Sequence, residues 1–379
     1  MKLDIEVYTE EIKKLYRMLA EIPAVSGKEE CYAEKMRQTV LMYTDFFDKS
    51  EILAGGGLLF THSCRVPNAR KLLIDAHFDT VGFIVSEILD GGFVRVEAVG
   101  GIDRRLLFAS EAEIYGRKTI KGVFVSTPPH LSKKDKDAEK KLPPLSEMFI
   151  DTGYTKEELC DIVSVGDACG FTFSYKELRN GIICGRSMDD RICAVAVLLA
   201  AKITSEDKNY VDKCDIIFSF SSAEEVNGSG GAVLGRLLAD GAVVMDVNFG
   251  RDYEIAPQES YILGEGCGVS YSCTTSRALT DALVSCAEKS EIPLQKMVEP
   301  KSTGTNANYI SNAYLGTPCA VLSIPEKYMH TAVEAVDIKD VYSCAKLLCE
   351  FFKVFPEFAD NFEKSRKIIP MEGVLGNEL

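Results

Sequence analysis

The stretch Asp215-Ile-Ile-Phe-Ser-Phe-Ser-Ser-Ala-Glu224-Glu225-Val-Asn-Gly-Ser-Gly-Gly231 narrows the possible folds more than any other part of the chain. An apolar, β-prone run stops at two adjacent carboxylates, and a glycine-rich turn leads into a helical pattern over 232–238. Strand, turn and helix in that order build a parallel sheet, whose site lies outside the carboxyl ends of its strands. Glu224 and Glu225 would stand at that mouth. Two neighbouring carboxylates repel one another, so both stay ionised at neutral pH only beside a cation or a donor.

The same alternation recurs. Lys71-Leu-Leu-Ile-Asp-Ala-His77-Phe-Asp79 is a buried-strand pattern ending in polar residues, and Gly241-Ala-Val-Val-Met245 runs into Asp246. Helical patterns cover 192–203, 279–289, 305–313 and 338–355, with a further strand over 318–324. An α/β fold with a mainly parallel sheet flanked by helices follows. At the N-terminus, Leu15, Met18, Leu19 and Ile22 form a helical stripe closed by Pro23. Ser26-Gly-Lys-Glu29 reads as a capping box opening a second helix to about residue 41. Between 83 and 177 the texture changes to short alternating runs with Gly turns, apart from a short helix near 155–162 and a solvated, lysine-rich loop at 133–141. The chain therefore divides into a discontinuous α/β domain, 1–82 plus 178–379, and an inserted all-β domain, 83–177.

Composition excludes several roles. A net charge of −14 over 379 residues argues against nucleic acid as the partner, since phosphate contact wants a basic surface. No window approaches eighteen uninterrupted apolar residues, so no membrane span is expected. The thirteen cysteines are odd in number and include no C-x-x-C pair, which points to reduced thiols and a cytoplasmic setting.

Candidate ligands fall at strand ends and loops: His77, Asp189, Glu225, Asp246 and His330. Singly each has a plain reading: a solvated histidine, a helix N-cap, a turn former. Together, two histidines and three carboxylates suit two zinc or cobalt ions, each with three protein ligands and one carboxylate shared. That leaves Glu224 free as a base. Asp79 follows His77 at i+2, on the same side of an extended chain, where its carboxylate can accept the second ring N–H.

Ala76-His-Phe-Asp-Thr-Val-Gly-Phe83, Met188-Asp-Asp-Arg191, Glu224-Glu-Val226, Met245-Asp-Val247 and Tyr328-Met-His-Thr331 occur in one order. By these motifs the chain resembles the tetrahedral aminopeptidase family over about 25–334. Its members are dinuclear zinc or cobalt peptidases, including glutamyl and deblocking aminopeptidases, and some carry a cellulase label. The resemblance implies a zinc-aminopeptidase-like fold, with His77, Asp189 and Asp246 on one ion and Asp189, Glu225 and His330 on the other. It implies that Glu224 is the general base acting on short peptides, and that Asp79 orients His77. It also implies a barrel-like insert used for dimerisation, with dimers assembling into a hollow dodecamer. Two positions depart from the family pattern: Thr80 stands where Glu is common, and Asn306 where Asp is. Both remove a negative charge near the expected site and bear on substrate choice. Two alternatives stay open at this level, a metal-binding relative without activity and a glycoside hydrolase. The second is disfavoured because Glu224 and Glu225 are too close for carboxyls about 5 to 9.5 Å apart across a sugar.

Overall fold

The computed structural model describes residues 5–125 and 142–366, so the lysine-rich 133–141 segment lies outside the described residues. Its frame is a sheet of eleven strands among those residues. Four central strands are parallel and adjacent, in the order Cys214–Ser221, Arg70–His77, Gly241–Phe249 and Cys319–Lys327. Their near-continuous burial is what strands covered on both faces require. Outside this core the partners run antiparallel: Leu58–His62 and Lys49–Ile52 on one side, Glu334–Asp337, Ile182–Gly185 and Lys176–Glu177 on the other. The sheet as a whole is thus mixed: the expected parallel arrangement holds for its four central strands and, off them, for the pair Cys267–Ser272 and Leu294–Glu299.

The helix Met188–Glu206 packs directly on the sheet and is buried continuously from Met188 to Ala201. A helix apolar on all sides belongs inside, and here the helices Ile5–Ala20 and Ile338–Arg366 cover it from outside. On the other face, Leu234 and Ile310 from the helices Ser229–Leu234 and Ala307–Asn312 pack with Leu73, Val244 and Val321.

The alternating block closes into a six-stranded barrel with its own core of Phe83, Val96, Ile114, Phe124 and Ile150. Thr119–Val125 shows the strict in–out alternation that sheet closure needs. The short helix Lys156–Cys160 carries a complete capping box between Thr155 and Glu158.

The other capping box does not form. Val25 bridges to Thr80, Glu29–Cys31 is a single 3-10 turn, and the second helix, Ala33–Tyr43, starts from Tyr32 without a side-chain cap. Ser26 and Glu29 bond across the fold instead. Several strands have no counterpart in the sequence reading, among them Cys267–Ser272 and Leu294–Glu299. The second reads Leu-Gln-Lys-Met-Val-Glu and is half exposed, so its pattern is weak; it pairs in parallel with the first and walls the cleft.

Candidate active site

Parallel register brings the strand ends together. His77 is the last residue of its strand and lies opposite Ser221, three residues before Glu224. Asp246 sits within the longer neighbouring strand rather than at its end. Asp189 and Asp190 occupy the non-helical opening of the Met188–Glu206 helix, and His330 lies in the turn after Cys319–Lys327. Ligand atoms of His77, Asp189 and Glu225 lie within 4.8 Å of one another, as do those of His77, Asp190 and Asp246. Asp189 turns one oxygen to each histidine: Oδ1 is 2.9 Å from His77 Nε2 and Oδ2 is 3.2 Å from His330 Nε2. Glu225 Oε2 is 3.3 Å from the same His330 nitrogen. All five residues singled out as ligands therefore gather at one place, and four of them, Asp189, Glu225, Asp246 and His330, line one cleft. Asp190 joins them, a residue sequence reasoning passed over although it adjoins Asp189. Its Oδ2 also accepts the main-chain N–H of His77 at 3.1 Å.

Asp79 works differently from the expectation. Its main-chain oxygen, 2.9 Å from His77 Nδ1, is the ring's near partner, whereas its carboxylate is 3.7 Å away. That carboxylate accepts the N–H groups of Glu224 at 3.0 Å and Glu225 at 3.1 Å, and the Ser26 hydroxyl at 2.5 Å. Glu29 accepts the N–H of Ala223 at 2.9 Å. Ala223 has φ of +57°, a left-handed conformation that a non-glycine residue holds only under outside constraint. The two residues that imitate a capping box thus brace the turn carrying Glu224 and Glu225. Buried Glu334 plays the same part opposite: Oε2 accepts from Met188 N at 2.7 Å and Oε1 from His330 N at 2.9 Å.

The electrostatics are those of crowded buried acids. Burial pushes Glu224 up to about 8, and the Asp189, Glu225 and Asp79 carboxylates add to the rise although His77 opposes it. Burial likewise raises Asp190, Glu225 and Asp246, with neighbouring carboxylates contributing. Asp189 is the exception: burial opposes its ionisation, but His330 and His77 hold it below the usual range. Burial would lower His330, yet Asp189 and Glu225 raise it to about 11.

These residues fit a divalent metal. A carbonyl oxygen only accepts, so the contact with Asp79 O puts the hydrogen on His77 Nδ1 and turns Nε2 to Asp189. Two acceptors then face each other at 2.9 Å, which a proton or a cation must reconcile. Glu225 Oε1 and Asp190 Oδ1 are buried without a hydrogen-bond partner. Imidazole and carboxylate donors in this excess suit a divalent metal ion.

The two departures sit differently. Thr80 is buried, its hydroxyl 3.4 Å from Ala24 O, and it lines a small cavity that Asp189 and Glu334 also line. Asn306 is buried and donates to Asp75 Oδ2 at 3.0 Å and Ser221 Oγ at 2.8 Å. It supports the sheet beneath the site, and its missing charge is answered by Asp75, which the sequence reading had left as part of a strand.

The ligand cluster opens into a cleft of about 1000 Å³ bounded by Asp246, Glu224, Phe249, Glu299, Tyr309 and Met329 among others. Among the described residues no helix is long and apolar enough to cross a membrane, and all thirteen cysteines are unpaired.

Residues 56–347 match the model of a family described as M42 glutamyl aminopeptidase. A lysyl aminopeptidase of Pyrococcus furiosus is 29% identical over 88% of this chain and 94% of its own length. An aminopeptidase structure from the archaeon Desulfurococcus kamchatkensis is similar with a TM-score of 0.85 and 27% identity, covering 96% of this chain and 99% of that one. The TET1 peptidase of Pyrococcus horikoshii, described as able to assemble into a tetrahedron or a large octahedral shell, matches with a TM-score of 0.75 and 28% identity, covering 90% and 98%.

Proposed function

Since the chain belongs to the M42 glutamyl aminopeptidase family and is a peptide hydrolase, we propose that it removes N-terminal residues from short peptides with two divalent ions, zinc or cobalt. His77, Asp189 and Asp246 would hold one ion and Asp189, Glu225 and His330 the other. The observation that carries this reading is Asp189, with one oxygen turned to each imidazole. When bound, such a pair supplies Lewis acidity to the substrate carbonyl and lowers the pKa of a water.

The remaining work falls to the protein. Glu224 has no assigned ligand role, and its carboxylate takes the proton of the attacking water and delivers it to the leaving amine nitrogen as the C–N bond breaks. Asp79 and Glu29 hold the turn from which Glu224 projects, through its main-chain N–H groups. Asp79 O keeps the hydrogen of His77 on Nδ1.

The barrel we assign, with the rest of 83–177, to self-assembly as dimers that build a hollow homo-oligomer, a dodecamer. The shell named for the Pyrococcus horikoshii relative supports this, as do exposed Phe108, Val123 and Val165 around the barrel. A cytoplasmic setting would keep the thirteen unpaired cysteines reduced.

Metal content and turnover of aminoacyl chromogens, measured before chelation, after it, and after zinc or cobalt is restored, test the activity. Glu224→Gln is expected to lower kcat by about 10²–10⁴-fold with metal content unchanged. Undiminished hydrolysis by that variant removes the base assignment.

A further inference from the structure

Beyond the ligand cluster, one carboxylate in the cleft is held by neutral donors and forms no ion pair among the described residues. Glu299 ends the strand Leu294–Glu299 and lines the cleft. Its Oε1 accepts from Asn248 Nδ2 at 3.0 Å and from the hydroxyl of Ser270. Both donors are fixed from behind. Asn248 Oδ1 accepts the N–H of Phe249 at 2.7 Å, which sets the amide orientation, and Ser270, fully buried, is bonded to the hydroxyl of buried Tyr261 at 3.1 Å. Among the described residues no hydrogen bond to Oε2 is formed, and no lysine, arginine or histidine pairs with Glu299. A carboxylate positioned by neutral donors on one oxygen is pre-oriented to meet a cation that enters the cleft.

Its place relative to the ligand cluster sets what that is. Asn248 lies two residues beyond Asp246 on the same strand, so its side chain leaves the same face about 7 Å further along. Glu299 therefore stands a side chain's length from the ligand cluster, too far to meet an α-ammonium held beside the metal ligands. Met297, two residues before Glu299, shares its face of the strand, and Phe249, Ile255 and Met329 also line the cleft. An apolar wall ending in a fixed carboxylate matches a long methylene stem with a cationic tip.

We propose that Glu299 is a specificity-determining residue that selects peptides whose N-terminal residue is lysine or arginine. The inference rests on the aminopeptidase reading for its substrate, though not for its binding test. It runs against the glutamyl activity in the family's description, since an acidic side chain would meet Glu299 with like charge. Glu259, which is exposed, adds another carboxylate to the cleft lining. Lys301 is the opposing candidate, a cation that would favour an acidic N-terminal residue. It is exposed, and no hydrogen bond or ion pair of its ammonium is formed among the described residues, whereas Glu299 is held.

Two measurements on the full-length, metal-loaded protein decide it. Binding of L-lysinamide and of L-norleucinamide, which has the same stem without the ammonium, is compared by calorimetry in wild type and Glu299→Gln. Lysinamide is expected to bind at least about tenfold tighter to wild type, and the variant, which keeps an acceptor for Asn248 and Ser270, to bind both equally. In parallel, kcat/KM is measured for lysyl, arginyl, leucyl and glutamyl chromogens. Glu299→Gln is expected to lower only the first two, by about 10- to 100-fold and mainly through KM. Equal binding of the two amides by wild type, a glutamyl preference, or a uniform loss across all four chromogens overturns the proposal. If no chromogen is cleaved but lysinamide is still preferred and the preference vanishes in Glu299→Gln, the aminopeptidase reading fails and this one stands. If leucyl and lysyl chromogens are cleaved alike, the reverse holds. If neither amide binds and nothing is cleaved, both are overturned.

Discussion

Replacing Asp79 by asparagine separates two ideas of what this residue does. Its carboxylate accepts three hydrogen bonds, from Glu224 N, Glu225 N and Ser26 Oγ, in a fully buried position. Asparagine offers one acceptor oxygen, so it can satisfy the N–H of Glu224 or that of Glu225 while its own NH₂ faces the other. One buried N–H left unmade costs about 1–3 kcal/mol, and the surviving bonds lose their charge-assisted strength. The sum is about 3 kcal/mol of unfolding free energy, concentrated in the turn that carries Glu224. The contact to His77 Nδ1 comes from the main-chain oxygen of residue 79 and survives the substitution. The expected result is thus a variant about 3 kcal/mol less stable in urea, with kcat down by about 100-fold if the loosened turn is felt fully in the transition state. The His77 hydrogen should stay on Nδ1, read from the ¹⁵N shifts of the zinc-loaded protein. Migration of that hydrogen, or unfolding free energy within 1 kcal/mol of wild type, would return Asp79 to the role of a carboxylate that orients the imidazole.

Asn306→Asp would set a carboxylate against Asp75 in place of the amide that donates to it at 3.0 Å; about 3–5 kcal/mol of stability should be lost at pH 8, with the ratio of activities between chromogens unchanged. A stable variant with altered substrate preference would mean that residue 306 reaches the cleft after all. Asp189→Ala should weaken both metal sites, by at least about 100-fold in chelator competition, and two tightly retained ions would contradict its shared position. Asp340, which accepts from Gly264 N and Gly266 N, is pushed by burial up to about 7. Its folded pKa lies above the unfolded value, so the cost of ionising it is absent below about pH 4, grows as pH rises, and is complete above about pH 7. Unfolding free energy in the wild type should fall across that window by up to about 1.4 kcal/mol per pH unit more steeply than in Asp340→Asn; parallel profiles at pH 4–8 would refute this.

Much of the site was legible from local pattern. Apolar runs that end in His77 and in Glu224-Glu225 report strand ends, because a strand covered on both faces is mostly apolar and its ligand-type side chains gather near the end that leaves the core, buried Asp75 being an exception. Parallel neighbours then bring those ends to one side, which places His77, Asp246 and the Glu224-Glu225 turn near one another. The alternation in 83–177 likewise marked a β-rich block with its own interior.

What the chain could not announce is which distant group each polar atom chooses. Ser26 and Glu29 have the spacing of a capping box, but the Asp79 carboxylate and the Ala223 N–H outcompete the local partners. Asp79 has the spacing to orient His77 by its carboxylate, yet two N–H groups 145 and 146 residues away take that carboxylate and leave the task to the main chain. Asn306 looked like a lost charge in the site until its amide was found on Asp75, 231 positions distant. Glu299 carries no local signal, since its strand is half exposed and its meaning comes from Asn248 and Ser270 on neighbouring strands. Periodicity is a property of short segments and survives in the sequence. Hydrogen-bond partnership between buried groups is set by strand register and layer packing, and those exist only once the chain has folded.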